Sequence, residues 1–262
     1  MNMKKIISLI FILTFVFSTL VLSSCGKKNE GGMNDNMGNG TDGMNNLKLG
    51  VGVHSVTTEK SADGAKNGAL DVTYTVAATV FGKDGKIVKC KLDAIETHAN
   101  FSSSGKAITP SDFKSKQELG DSYVMSDDET KLKWYEQADA FAKMCEGKTV
   151  DEVKKLVTDG GKGTDAVIKA GCTITVSEFA LAVEKSLKDA KDYTAANVGD
   201  VSLSLKVNAN ISDATDSANG KAELDGLFSA EAKNGNQSLA KVEKTDKASL
   251  TFDASGKISA KK

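Results

Sequence analysis

The stretch FGKDGKIVKCKLDAIETH, from Phe81 to His98, contains the pattern that decides the fold. Asp84-Gly85 is a turn signal, because glycine accepts the positive φ that tight hairpin turns require. Beyond the turn, apolar side chains alternate with polar ones at the two-residue period of a strand. The apolar positions are Val88, Cys90, Leu92 and Ala94. We therefore expect a β-turn that leads into a long strand with one apolar face.

A shorter segment near the C-terminus repeats part of this stretch. Phe252 to Ile258 has the same spacing of Phe, Gly, Lys and Ile as Phe81 to Ile87. This similarity predicts one full structural unit in the chain and part of a second.

The remaining patterns predict an α+β fold, in which an antiparallel sheet packs against helices and a mainly β partial repeat follows. Alternation and β-branched side chains predict strands over 49–57, 72–81 and 87–98, and again over 201–207, 222–232, 248–252 and 257–260. Helical spacing predicts helices near 127–146 and 178–190, with a shorter one after Thr149. Capping boxes are expected at Ser126–Glu129 and Thr149–Glu152, and Thr175 or Ser177 should cap the last helix.

The N-terminus predicts export. Lys4 and Lys5 precede an apolar run, and Leu22-Ser23-Ser24-Cys25 resembles the lipobox of bacterial lipoproteins. We expect cleavage before Cys25, lipid attachment to its thiol, and a protein held at the cell membrane or envelope, facing outside the cytoplasm. The alternative is an uncleaved transmembrane anchor, since the apolar run nearly matches the thickness of a bilayer.

Four segments follow from these patterns: a signal peptide over 1–25, a flexible tether over 26–46, an α+β domain over 47–192 and a mainly β partial repeat over 193–262. The tether is rich in Gly, Asn, Asp and Met and has no apolar periodicity. Such a composition cannot bury enough surface to offset the entropy of the chain.

Composition excludes several classes of function. The net charge is -1 with both signs interspersed, so a nucleic-acid partner is not expected. All 34 basic residues are lysines, and an anionic ligand would therefore be held by Lys, backbone N–H groups or hydroxyls rather than by a guanidinium group. With only two histidines, His54 and His98, a three-His metal site is excluded and no metal site is predicted.

Taken together, several short motifs resemble the FMN-binding domain of exported bacterial flavoproteins, a family that includes periplasmic subunits of electron-transfer complexes. The similarity covers about Val72 to Lys188. The motifs are Asp84-Gly85-Lys86-Ile87-Val88, Glu96-Thr97, Trp134 and Phe141 with Gly147-Lys148, and the turn Ala170-Gly171-Cys172-Thr173 before the last helix.

The resemblance implies that FMN binds with its phosphate at this turn. Family members with covalent flavin use Ser/Thr-Gly-Ala-Thr, and the last Thr forms the phosphoester. Here Gly171 and Thr173 match, whereas Ala170 replaces the first hydroxyl and the nearby acid, Asp165, lies two residues too early. Non-covalent binding is therefore expected. The implied cofactor-binding residues are Gly171, Cys172, Thr173, Thr175, Glu96 and Thr97.

Two hypotheses of function remain open, and the sequence does not identify a reaction. The first is a lipid-anchored FMN-binding module that passes electrons to an envelope redox partner. The second is a non-enzymatic surface lipoprotein that keeps the fold without flavin and acts as a binding or adhesion module. Three cysteines remain after lipidation, so at most one intrachain disulfide forms, and Cys145 with Cys172 is the first pairing to test. A solute-binding protein fits the leader but not the absence of two alternating βα lobes.

Overall fold

The computed structural model describes residues 44–125 and 132–261. The predicted signal peptide, Cys25 and almost all of the tether lie outside the described residues, and so does the capping box predicted at Ser126–Glu129. Within the described residues, no helix has the length and apolar character needed to span a bilayer.

The order of elements along the chain follows from these ranges. They are β1 (Asn45–Lys60), β2 (Gly68–Gly82), β3 (Ile87–Phe101), β4 (Ala107–Ile108), α1 (Lys116–Leu119), a 3-10 turn (Gly120–Ser122), α2 (Trp134–Cys145), α3 (Val150–Lys154), α4 (Asp165–Lys169), α5 (Ser177–Lys188), β5 (Lys191–Ala195), β6 (Asp200–Ser212), β7 (Gly220–Asn234), β8 (Gln237–Phe252) and β9 (Ile258–Lys261).

The fold is mainly β, with about half of its residues in strands and about a fifth in helices. One antiparallel sheet has the order β4-β3-β2-β1-β5, and a second has the order β6-β7-β8-β9. The expected α+β architecture is therefore confirmed only for its antiparallel sheet and the helices beside it. The predicted strands are all present but longer, and β5 has no counterpart among the predictions.

The two sheets share one hydrophobic core. Side chains of β1 and β2 such as Val51 and Tyr74 meet Leu224 and Phe228 of β7, and the Tyr74 and Phe228 rings lie 5.1 Å apart. The opposite face of the first sheet packs against α2 and α5 in a second cluster that includes Leu92. Strand β2 is consequently buried on both faces, because each face of the first sheet has its own cover.

The predicted apolar face of β3 is correct except at its first position. Cys90, Leu92 and Ala94 face the helices, whereas Val88 is 39% exposed. The register of β2 with β3 shifts between Val80 and Phe81, which leaves Val88 without a place in the alternation.

Helix α5 approaches the first sheet closely because β1 has glycine where the helix crosses it. A Cβ atom on Gly50 would lie 1.9 Å from the Ser186 carbonyl oxygen, and one on Gly52 would lie 1.9 Å from that of Ala182. The helix is also held by a hydrogen bond of 2.7 Å between the Thr79 and Ser186 hydroxyls. Strand β1 therefore fixes the position of α5, and with it the turn that precedes the helix.

Helix boundaries differ from two of the predictions. Helix α2 begins at Trp134 rather than near Asp127, and the Lys133 amide donates to the Glu136 carboxylate at 2.7 Å. The capping box at Thr149 is confirmed, since the Thr149 hydroxyl accepts from the Glu152 amide at 3.3 Å. The cap predicted for α5 is wrong: the N-cap residue is Val176, which makes no side-chain hydrogen bond.

The C-terminal echo matches a different segment from the one expected. Phe252–Lys257 forms the same hydrogen-bonded turn as Gly82–Lys86, but its position in the sheet corresponds to Phe101–Lys106. Phe101 pairs with Gly68 at the start of β2, and Phe252 pairs with Gly220 at the start of β7. The second sheet thus resembles the β1–β4 meander as a whole.

The two similar hairpins clasp each other. The Phe101 and Phe252 rings stack with centroids 3.9 Å apart and planes 3° from parallel. The Ala62 amide donates to the Gly256 carbonyl at 2.8 Å, and the Ala214 amide donates to the Gly105 carbonyl at 2.7 Å. The contact is nearly reciprocal, as expected when two related units face each other.

Candidate functional site

The turn implied as the flavin site links α4 to α5. Gly171 has φ of +99°, a conformation that side chains with a Cβ rarely adopt, and its amide donates to the Ile168 carbonyl at 3.0 Å. The space in which a Cβ would lie is filled by Leu132, whose Cδ1 would be 2.7 Å away. Glycine is therefore needed here to end α4, and Leu132 covers the turn.

The polar groups of this turn are already bound by Gln137 of α2. The Gln137 side-chain oxygen accepts hydrogen bonds from the Thr173 amide at 2.8 Å, the Thr173 hydroxyl at 3.2 Å and the Ile174 amide at 3.2 Å. The Gln137 side-chain nitrogen donates to the Leu132 carbonyl at 2.7 Å. Gln137 is fully buried, so these bonds are made in the interior. An amide oxygen occupies the position in which convergent donors would hold an anion.

The N-terminus of α5 is occupied in a similar way. The Val176 and Ser177 amides both donate to the Gly161 carbonyl, at 2.9 and 3.1 Å. The free N–H groups and partial positive charge of a helix start are what attract a phosphate. Here one carbonyl takes two of those donors, and the residues present do not fit a flavin phosphate without rearrangement.

The other turn residues differ in accessibility. Thr173 and Thr175 are exposed, and Thr175 pairs with Lys162 in an isolated bridge. Cys172 is fully buried, and burial raises the pKa of its thiol to about 11. The thiol is therefore protonated at neutral pH and unsuited to act as a nucleophile.

Glu96 belongs to a separate cluster on β3. Its carboxylate lies 2.6 Å from the Lys116 ammonium and accepts from the Tyr123 hydroxyl at 3.0 Å. The Lys116 ammonium also lies 4.4 Å from the centre of the Tyr123 ring and 5.4 Å from that of Trp134. With its side chain only 12% exposed, Lys116 holds the acid and the two aromatic rings together.

Charge pairing decides how these groups ionise. Burial would raise the pKa of Glu96, but the Lys116 ammonium and the Tyr123 hydroxyl outweigh it and hold that pKa below its ordinary value. For Lys116, burial acts in the opposite direction, and Glu96 with Tyr123 keeps its pKa above the ordinary range. Both side chains are therefore charged at neutral pH.

Thr97, the neighbour of Glu96, has a structural environment. Its side chain is 3% exposed, and its hydroxyl donates to the Val72 carbonyl of β2 at 2.8 Å. Helix α2 connects the Glu96 cluster with the turn: Trp134 packs edge-on against Tyr123, and Gln137 holds Thr173 one helical turn later. The six predicted residues therefore lie in two neighbouring places rather than around one cavity.

An open groove lies beside the Glu96 cluster. It has a volume of about 260 Å³ and is lined by acidic, basic and aromatic side chains from β3 and from the segment before α1. The His98 and Phe113 rings form one wall, in edge-to-face contact at 5.3 Å. The charged residues around it are Glu96, Asp112, Lys114 and Lys116. The groove can accept a small ligand with both apolar and charged parts.

Gln137 and Lys116 are the residues that the sequence analysis missed. Gln137 lies in the apolar stripe of α2 between Trp134 and Phe141, and a polar residue at such a position indicates a buried hydrogen-bonding role. Ser115 and Glu118 form a capping box that marks the start of α1 and so the position of Lys116. No group of His, Cys, Asp or Glu within 44–125 and 132–261 could hold a metal ion.

No protein-family model matches this chain, and it has no detectable similarity to a curated protein or to a solved structure.

Proposed function

We propose that this protein is an exported, lipid-anchored binding module that acts without flavin. The observation that carries the proposal is the hydrogen bonding of Gln137. Its side-chain oxygen takes the three donors of the 173–174 segment, which a flavin phosphate would otherwise use. FMN would have to displace a fully buried side chain and break its bond to the Leu132 carbonyl.

A flavoprotein of the envelope is the second candidate, and the motifs between Val72 and Lys188 favour it. In this hypothesis the first sheet with α2 and α5 is an α+β unit similar to the FMN-binding domain, and β6–β9 is a partial repeat of it. FMN supplies the redox chemistry, and the protein contributes binding and orientation. The residues that would hold its phosphate are Gly171 and Thr173, once Gln137 has moved away.

Titration of the purified protein with FMN separates the two candidates. We expect no quenching of flavin fluorescence at high micromolar protein, and no flavin adduct on Thr173 after production together with a flavin transferase. A Gln137→Ala variant shows whether Gln137 is responsible, because removal of the side chain frees the three donors. Quenching by the wild-type protein, or an adduct on Thr173, would reject the proposal in favour of the flavoprotein.

The groove beside Glu96 is the proposed ligand site. Acids and lysines at its rim offer partners for both charges of a small zwitterion, such as a free amino acid, and Phe113 offers an apolar wall. Thermal shift measurements with free amino acids and with their amide derivatives test this assignment. Stabilisation by the free acids should disappear in Phe113→Ala and persist in Leu187→Ala, a control on the exposed face of α5. Equal responses of the two variants would exclude the groove.

Membrane attachment through Cys25 is proposed from the leader. Cleavage before Cys25 and lipidation of its thiol would place the folded body outside the cytoplasm, in contact with the membrane only through its tether. We expect the wild-type protein to partition with membranes and Cys25→Ala to be released or mislocalised. Recovery of unlipidated, soluble wild-type protein as the main species would contradict this assignment.

A further inference from the structure

All three cysteines of the described chain lie on the helix side of the first sheet. Cys145 and Cys172 are fully buried in the second hydrophobic cluster, and Cys90 of β3 packs against the same cluster while remaining partly accessible. The three are free thiols. Cys90, and not Cys172, lies within hydrogen-bond reach of the Cys145 thiol.

Contacts on either side hold Cys90 and Cys145 together. The Ile87 amide donates to the Lys148 carbonyl at 2.8 Å, and the Gly147 amide donates to the Ile87 carbonyl at 2.7 Å. Further along β3, the Lys91 ammonium lies 2.8 Å from the Asp139 carboxylate of α2. The two cysteines lie between these contacts, so β3 and the end of α2 are aligned independently of any sulfur bond.

We propose that Cys90 and Cys145 form a redox-sensitive disulfide that fastens the end of α2 to β3. Cys90 is the entry point, because its sulfur is partly accessible whereas Cys145 is fully buried. The thiolate of Cys90 attacks the disulfide of an oxidant, which releases one thiolate and leaves a mixed disulfide. The thiolate of Cys145 then attacks the Cys90 sulfur and releases the second thiolate.

The oxidant is a small-molecule or protein disulfide, and the electron balance is complete. Two cysteine thiols lose two protons and two electrons, and the oxidant is reduced to two thiols. Hydrogen bonding to Cys145 and burial both raise the pKa of the Cys90 thiol, so the uncatalysed exchange should be slow at neutral pH and faster in alkali. The protein thus behaves as a reduced chain until an oxidant acts on Cys90.

The biological part of this inference rests on the proposed location outside the cytoplasm, where disulfides persist. The chemical part does not. Oxidation of the purified protein tests the pairing itself, whereas the thiol state of protein trapped in intact cells tests the location. A bond that forms in purified protein but is absent from cells would contradict the location and leave the pairing supported.

The test uses the full chain with Cys25→Ser, so that only Cys90, Cys145 and Cys172 carry thiols. The protein is incubated with glutathione disulfide, alkylated, and mapped by mass spectrometry without reduction. We expect a peptide that joins Cys90 to Cys145 with the loss of two hydrogen atoms, and Cys172 alkylated only after unfolding. The same bond should form in Cys172→Ser, with a higher midpoint of urea unfolding than in the reduced protein.

Two variants make the order of steps visible. Cys145→Ser should stop at a glutathione adduct on Cys90, and Cys90→Ser should take up no glutathione while folded. Fluorescence of Trp134, which lies in the same cluster, confirms that each variant is folded. A bond between Cys145 and Cys172, or a glutathione adduct on Cys90 that persists in the wild type, would overturn the proposal.

Discussion

Replacement of Gln137 by leucine tests the argument on which the proposed function rests. Leucine has a similar volume, so it keeps the packing of α2 and removes the hydrogen bonds alone. The turn would lose the acceptor for the Thr173 amide, the Thr173 hydroxyl and the Ile174 amide, and the Leu132 carbonyl would lose its donor. The turn and the start of α2 would then no longer be linked.

The magnitude follows from the number of bonds and their burial. A hydrogen bond within a protein contributes about 1 kcal/mol net, so four bonds amount to about 4 kcal/mol. Thr173 is exposed, and water can replace part of what its groups lose. We therefore expect Gln137→Leu to lower the free energy of unfolding by about 3 kcal/mol, a large change for a single substitution.

Urea unfolding followed by Trp134 fluorescence measures this change, since Trp134 is the only tryptophan and lies one turn before Gln137. Gln117→Leu is the matched control. The Gln117 side chain donates to the Leu92 carbonyl and the Asp139 carboxylate, both at 3.1 Å, but it is only partly buried, and we expect a loss of about 1 kcal/mol. Equal losses in the two variants would refute the view that Gln137 is the internal anchor of the turn.

Three further predictions concern the packing and the charges. Gly52→Ala should cost about 3 kcal/mol, because its Cβ would overlap a carbonyl of α5, whereas Gly160→Ala meets no atom within 4 Å; similar urea midpoints for both would contradict the close packing. Tyr74→Phe should leave stability unchanged or raise it by about 1 kcal/mol, since the buried hydroxyl has no hydrogen-bond partner within the described chain, and a clear loss by calorimetry would show that it has one. The ionised form of Glu96 stabilises the fold above the ordinary glutamate pKa of 4.5, and this contribution is lost as the pH falls through the lower pKa of the folded state. Glu96→Gln should therefore be less stable than wild type near neutral pH and approach it in acid, and a stability difference independent of pH would exclude the ion pair as its cause.

The sequence predicts the strands well because their signal is local. Alternation over 87–98 and the Asp84-Gly85 turn are properties of neighbouring residues, and both appear in the structure at the expected positions. The weight of β structure could not be predicted in the same way. Residues 200–261 cover the second face of the first sheet, and that contact depends on side chains more than a hundred residues apart, such as Tyr74 and Phe228.

The candidate site shows the same division between local and distant causes. The need for glycine at position 171 is local, since it follows from a turn between two helices. The loss of free donors is not, because the acceptor is Gln137, which lies 36 residues before Thr173. A motif aligned only along the turn therefore indicates an anion site, while the packing of α2 supplies an acceptor from within the protein.

The clasp between the two hairpins explains why the C-terminal echo is short and yet well defined. A meander needs a turn of the type formed by Phe101–Lys106 wherever a strand reverses, and the sequence satisfies this requirement at three places. Only Phe101 and Phe252 stack on each other, and Gly68 and Gly220 are required opposite them because a Cβ atom would lie 2.2 Å and 2.5 Å from the respective rings. A Phe in one strand and a Gly in the paired strand are thus fixed together in each half. This constraint acts between the two sheets, and it distinguishes a repeated unit from a repeated turn.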